Sequence, residues 1–129
     1  MTVAHKTRSR TKPDLMTQAQ ARLTEERVAA AGRVEALRRD VESIVESAKG
    51  GATDDEHDVE GATIAFERAQ AMALLEEARG QVEALDEALA RVAAGTYGRC
   101  ESCGEPIAPE RLVARPSATT CIRCASRRR

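Results

Sequence analysis

Residues 64–95 read IAFERAQAMALLEEARGQVEALDEALARVAAG, and the spacing of their apolar side chains decides the fold. Ile64, Ala71, Leu75, Ala78, Val82, Leu85, Leu89 and Val92 recur, after the first step, at alternating intervals of four and three, with Arg68 at the intermediate position. At 3.6 residues per turn those intervals put every member on one stripe of a helix, so the segment carries a coiled-coil seam. Gly95 stands just past the last seam residue, where a left-handed glycine closes a helix. Upstream, Leu23, Ala30, Val34, Leu37, Val41, Ile44 and Ala48 form a second seam, with Pro13 at its start and Asp14 as its candidate cap. Between the two lies Lys49-Gly-Gly-Ala-Thr-Asp-Asp-Glu-His-Asp-Val-Glu-Gly61, whose glycines and polar side chains stop the first helix and turn the chain back. Two helices of roughly 34 residues each, joined so briefly, pack antiparallel.

Composition supports elongated helices over a thick core. Only 2% of the chain is aromatic, with one Tyr, one Phe and no Trp, while 42% is apolar and 32% charged. The net charge of -1 conceals segregation. Residues 1–12 carry Lys6, Arg8, Arg10 and Lys12 without an acid, and residues 95–129 carry seven Arg against three Glu. Each end is therefore +4 and the middle, 13–94, is -9. Gly32 and Gly80 interrupt the two helices off the seams and are expected to face solvent. No apolar run approaches the roughly 18 residues a membrane helix needs, and the N-terminus lacks the apolar core of a signal peptide, so a cytoplasmic protein without a membrane partner is expected.

In a reducing compartment paired cysteines read as thiolate ligands before they read as disulfides. Cys100-Glu-Ser-Cys103 is followed, after seventeen residues, by Cys121-Ile-Arg-Cys124, a spacing that fits one four-cysteine zinc site. Each C-x-x-C turn aims two thiolates to one side, and two turns complete a tetrahedron. Four protein ligands leave no position for a catalytic water, so one structural Zn²⁺ is expected and an enzyme is not. The fold class expected is thus all-α, a long antiparallel coiled-coil hairpin over 13–95 with an acidic tip at about 50–61. A flexible basic arm, 1–12, precedes it, and a small C-terminal four-cysteine zinc finger with a basic tail, 96–129, follows.

The stretch Arg99-CESCGEPIAPERLVARPSATTCIRC-Ala125 resembles the zinc finger of the DksA/TraR transcription factors. The likeness rests on the C-E-S-C-G start, on Arg111, Leu112, Ala114, Arg115 and Pro116 in an R-L-x-A-R-P element, and on the closing C-I-x-C. The hairpin before it is similar to that of the family's long members, so the resemblance runs from about Pro13 to Cys124. It implies a monomeric regulator that binds bacterial RNA polymerase, inserts its tip into the secondary channel to modulate initiation, and rests its finger outside. Direct DNA binding is then disfavoured. The family's D-x-x-D-x-A tip reads here Asp55-Glu-His-Asp58-Val-Glu60, with Asp54 beside it, so these four acids are the implied contacts and Glu60 is a departure. The resemblance also implies contacts to ppGpp, of which Arg115 is retained while Ala84 and Ala125 stand where lysines are expected. Weak or absent ppGpp response follows.

Two other functions compete. The Arg127-Arg128-Arg129 tail and the basic arm suit nucleic-acid phosphates, which would make the finger a direct DNA-binding module, although no aromatic residue stands by to stack on bases. Alternatively, tip carboxylates such as Asp55 and Asp58 could hold a Mg²⁺ ion that activates water for transcript cleavage, as in Gre-type channel factors.

Overall fold

A computed structural model describes residues 12–50 and 58–127, with side chains over 15–49 and 61–127. It contains four helices among these residues: α1, Lys12–Gly50; α2, Asp58–Ala94; α3, Pro109–Ala114; and α4, Ile122–Arg127. The all-α class expected from the heptads is what the chain adopts, with one isolated antiparallel bridge, Arg99 to Pro106. Fewer than ten residues join α1 to α2. They can span less than about 30 Å, too little to run back along a helix of this length, so the pair is antiparallel.

Both helices are longer than expected, 39 and 37 residues. The turn narrows accordingly. Helix α2 begins at Asp58, so Asp58, Glu60 and Gly61 belong to helical backbone and not to a loop reaching Gly61. Acids in a first turn meet the positive end of the helix dipole, which offsets the roughly 1 kcal/mol that a glycine costs there.

The chain divides into two compact units through which both long helices pass: residues 1–25 with 85–129, and residues 26–84. In the second unit Ala30, Ala71, Leu75 and Ala78 are buried, and Val34, Leu37, Val41, Ile44, Ile64 and Val82 are half-buried. Arg33 Nη1 donates to Gln81 Oε1 across the pair at 3.0 Å. Ala31, Val34 and Glu35 share a shallow groove with Arg79, Val82 and Glu83. These two observations set one antiparallel register. Two seam positions depart from expectation: Ala48 and Arg68 are both exposed. On that register they stand near one another, and an arginine, which is costly to bury, stays in water and leaves Ala48 without an apolar partner. Intrahelical pairs line the outside, such as Arg38 with Glu42 at 2.9 Å and with Glu35 at 3.3 Å, each worth a few tenths of a kcal/mol.

In the first unit Leu23, Leu85 and Ala88 are at most 1% exposed. Burying each leucine stabilises by roughly 2–3 kcal/mol. Ala88 lies off the four-three seam. Its burial shows that α2 is covered here over a broader arc than the seam alone. Among the described residues no helix is long and apolar enough to cross a membrane.

Candidate metal centre

Helix α2 ends as Gly95 predicts. Its φ is +77°, and the Gly95 N–H donates to Val92 O while the Thr96 N–H donates to Arg91 O, at 3.1 and 2.9 Å. This paired closure is the Schellman motif, and a left-handed C′ residue is what it requires. Helix α2 therefore stops five residues before the first cysteine.

The first knuckle is a tight turn. The Gly104 N–H returns to Cys100 O at 2.9 Å and the Cys100 N–H reaches Glu105 O at 2.8 Å, with Gly104 at φ +76°. A side chain at Gly104 would strain that turn. The Ile107 N–H to Gly98 O bond, 2.7 Å, closes the ribbon around it. In the second knuckle Cys121 precedes α4 and the Ala125 N–H donates to Cys121 O at 2.9 Å, which brings Cys121 and Cys124 to one side of a helical turn. The Glu101 N–H to Thr119 O bond, 2.9 Å, fastens one knuckle to the other.

Two further ties organise the span between them. Arg111 Nε donates to Thr120 O at 2.9 Å, and Tyr97 Oη donates to Pro116 O at 2.7 Å. Cys100, Ile107 and Cys121 make a small buried cluster against which Leu112 and Cys124 pack. Arg111 stood in the motif without a structural role, and Tyr97 was not singled out at all. A lone tyrosine in so aromatic-poor a chain was the available signal.

The four sulfurs converge. All lie within 4.8 Å of one another, and Cys103 Sγ is 3.8 Å from Cys121 Sγ. That is nearly twice the length of a disulfide, about 2.0 Å. It matches instead the edge of a tetrahedron with Zn–S bonds of about 2.3 Å, roughly 3.8 Å. Backbone N–H groups prepare the thiolates: that of Cys121, helped by those of Cys103 and Ser102, holds the Cys100 thiol down to about 6. The Cys124 N–H similarly lowers Cys121. Cys124 is pushed up to about 12, chiefly because its thiol hydrogen-bonds to Cys121 and so keeps its proton, with burial adding to the rise. A divalent cation takes that proton's place among the sulfurs. Cys100, Cys103, Cys121 and Cys124 thus fit one structural Zn²⁺, which would supply the cross-link of a segment with almost no apolar core.

Other expected site residues are placed less fully. Arg115 follows α3 and is exposed, while Ala84 and Ala125 are half-buried. Asp54 and Asp55 lie outside the described residues. Asp58 and Glu60 contribute backbone to the first turn of α2, and their side chains lie outside the described residues.

A long antiparallel helix pair leading into a four-cysteine finger defines a class, the helical-hairpin zinc-finger proteins. Within it, residues 95–129 match the prokaryotic dksA/traR C4-type zinc finger. The chain is 41% identical over 61 residues to the RNA polymerase-binding transcription factor DksA of Caulobacter vibrioides, in two strains, covering 47% of this chain and 43% of the relative. It is 49% identical over 41 residues to an uncharacterized protein of Aquifex aeolicus, covering 32% of this chain and 28% of that one. The match thus spans less than half the length of these relatives. The structure of transcription factor DksA2 from Pseudomonas aeruginosa superposes with a TM-score of 0.76 at 27% identity, over 93% of this chain and 88% of that one. Residues 95–129 are thus similar to the dksA/traR finger, and the chain as a whole shares the fold of DksA2.

Proposed function

We propose that this chain is a non-catalytic transcriptional regulator that binds bacterial RNA polymerase, acts in the cytoplasm as a monomer, and modulates initiation. The observation that carries this reading is the likeness to the transcription factor DksA2, which extends over 93% of the chain, helix pair and finger together. The metal centre supports it from the chemical side. With four sulfur ligands the zinc ion has no open position, so it braces the finger and activates nothing.

On this reading the working end is the acidic turn. Asp54, Asp55, Asp58 and Glu60 gather negative charge where α1 gives way to α2, and that turn enters the secondary channel. Carboxylates there act by charge on the basic groups and cations around the polymerase active site, an interaction that strengthens where water is excluded. Glu60 adds a charge where the family carries a small residue, so the sign or size of the effect on initiation differs from that of its relatives. With Ala84 and Ala125 in place of lysines, the response to ppGpp is weak or absent.

The test uses zinc-loaded protein and core polymerase without DNA. Binding is expected, in competition with other channel factors, and replacing Asp55 and Asp58 by Asn should leave binding within a few-fold while abolishing the effect on transcription. Retention on duplex DNA with no affinity for polymerase would sink the proposal. Unchanged transcription in the double variant would overturn the role of the tip alone.

A further inference from the structure

Helix α3 is six residues long, too short to hold helical backbone unaided. Three contacts keep it folded. Leu112 packs on the cluster of Cys100, Ile107 and Cys121; Arg111 Nε is bonded to Thr120 O; and Arg22 of α1 donates from Nη2 to Val113 O at 2.9 Å, across 91 residues of sequence. The first two depend on the cysteine site, since Leu112 rests on two of the ligands, Cys100 and Cys121, and Thr120 immediately precedes Cys121. The last is of another kind. Val113 lies in the closing turn of α3, where carbonyls lack a donor from their own helix, and an arginine from a different helix caps it.

We propose that α3 is a zinc-dependent latch on α1. With the four thiolates gathered on zinc, α3 is folded and presents the Val113 carbonyl to Arg22, which ties the N-terminal part of α1 to the finger. Without zinc, Leu112 loses its platform and Arg111 loses a fixed acceptor. Helix α3 then unravels, Arg22 has nothing to hold, and α1 frays from its N-terminal end. Helix α2 differs, because it runs directly into the finger through Gly95 and needs no such tie. Zinc occupancy is thereby reported at a segment that contains no ligand. The inference does not rest on the polymerase reading and can fail or survive independently of it.

Hydrogen exchange on the full chain tests it, comparing zinc-loaded protein with protein stripped by a chelator under reducing conditions. Stripping should deprotect residues 97–127 and raise exchange over residues 15–25 by about tenfold or more, with residues 30–45 little changed. In zinc-loaded Arg22→Ala, exchange over 15–25 should rise roughly threefold, the scale of one exposed charged contact. Zinc content should stay at one ion per chain, and Arg22→Lys, which keeps a cationic donor, should restore most of the protection. A stripped protein that loses order in the finger yet keeps residues 15–25 as protected as before would overturn the latch. So would an Arg22→Ala variant whose exchange there matches the parent.

Discussion

The helix pair and the finger solve the same problem by opposite means. The pair buries a ribbon of small and medium side chains: Ala30, Ala71, Leu75 and Ala78 along the middle, Leu23, Leu85 and Ala88 near the finger. Among the described residues no disulfide or metal cluster ties α1 to α2. The finger buries three residues in its cluster, two of them cysteines. Charges divide the same way. Several arginines of the pair are engaged by neighbours, Arg33 with Gln81, Arg38 with Glu35 and Glu42, and Arg79 with Glu76. On the finger Arg99, Arg115, Arg123 and Arg127 are exposed and form no ion pair with another described residue. One region is thus stabilised chiefly by area and engages several of its cations internally; the other is stabilised by a metal and leaves four exposed arginines for partners.

The sharpest way to break that contrast is to remove the metal. Chelation, or Cys100→Ser, should abolish the folded finger while far-ultraviolet circular dichroism keeps most of the helix signal contributed by α1 and α2. A loss of most helicity would show that the pair depends on the finger and that the two are not independent solutions. Acid should act as a graded form of the same perturbation. Cys100 is lowered from 9.0 to about 6, so its ionised form favours the folded finger fully above pH 9, and that contribution is lost as pH falls through about 6. Protons and zinc compete for the same sulfurs. Zinc affinity should therefore weaken as pH falls, read by a chromophoric zinc indicator. Release that does not vary with pH would contradict the thiolate assignment.

The corresponding blow to the pair is a cavity. Leu85 is 1% exposed, and Leu85→Ala should cost about 2–5 kcal/mol. Because that cost falls on packing, the variant should unfold at lower denaturant concentration yet bind zinc with unchanged stoichiometry. Simultaneous loss of zinc would mean that burial of Leu85 supports the finger as well.

The two regions also differed in how much their residues disclosed in advance. Heptad spacing placed the helices and nearly all of their buried stripe, because a two-helix contact repeats with the period of the helix itself. It misplaced Ala48 and missed Ala88, because exposure and burial at a single position depend on what lies across from it, which a repeat in one helix does not carry. Cysteine spacing disclosed the ligands, since tetrahedral geometry admits few spacings. It was silent on Arg22, Arg111 and Tyr97, whose bonds go to backbone carbonyls at Val113, Thr120 and Pro116. Every residue offers a carbonyl, so no side-chain pattern marks which one is used. The turn was drawn as far as Gly61 because that glycine looked like a terminator, and the acids before it outweighed that signal.

The smallest effects sharpen the comparison from the other side, by strengthening the pair alone. Gly32 and Gly80 sit within α1 and α2, are exposed, and would meet no atom within 4 Å if each carried a Cβ. Alanine in place of either should stabilise by up to about 1 kcal/mol, because it restricts the unfolded chain and fits helical backbone without a clash. The pair of substitutions should raise the denaturant midpoint of the helical transition. Zinc affinity should not move, since neither residue belongs to the unit that contains the cysteines. A destabilised double variant would mean that these glycines serve a close approach to a partner helix, and that the pair is not satisfied within itself. A coupled gain in zinc affinity would mean instead that stability passes from the helices into the finger, and the division between area and metal would have to be redrawn.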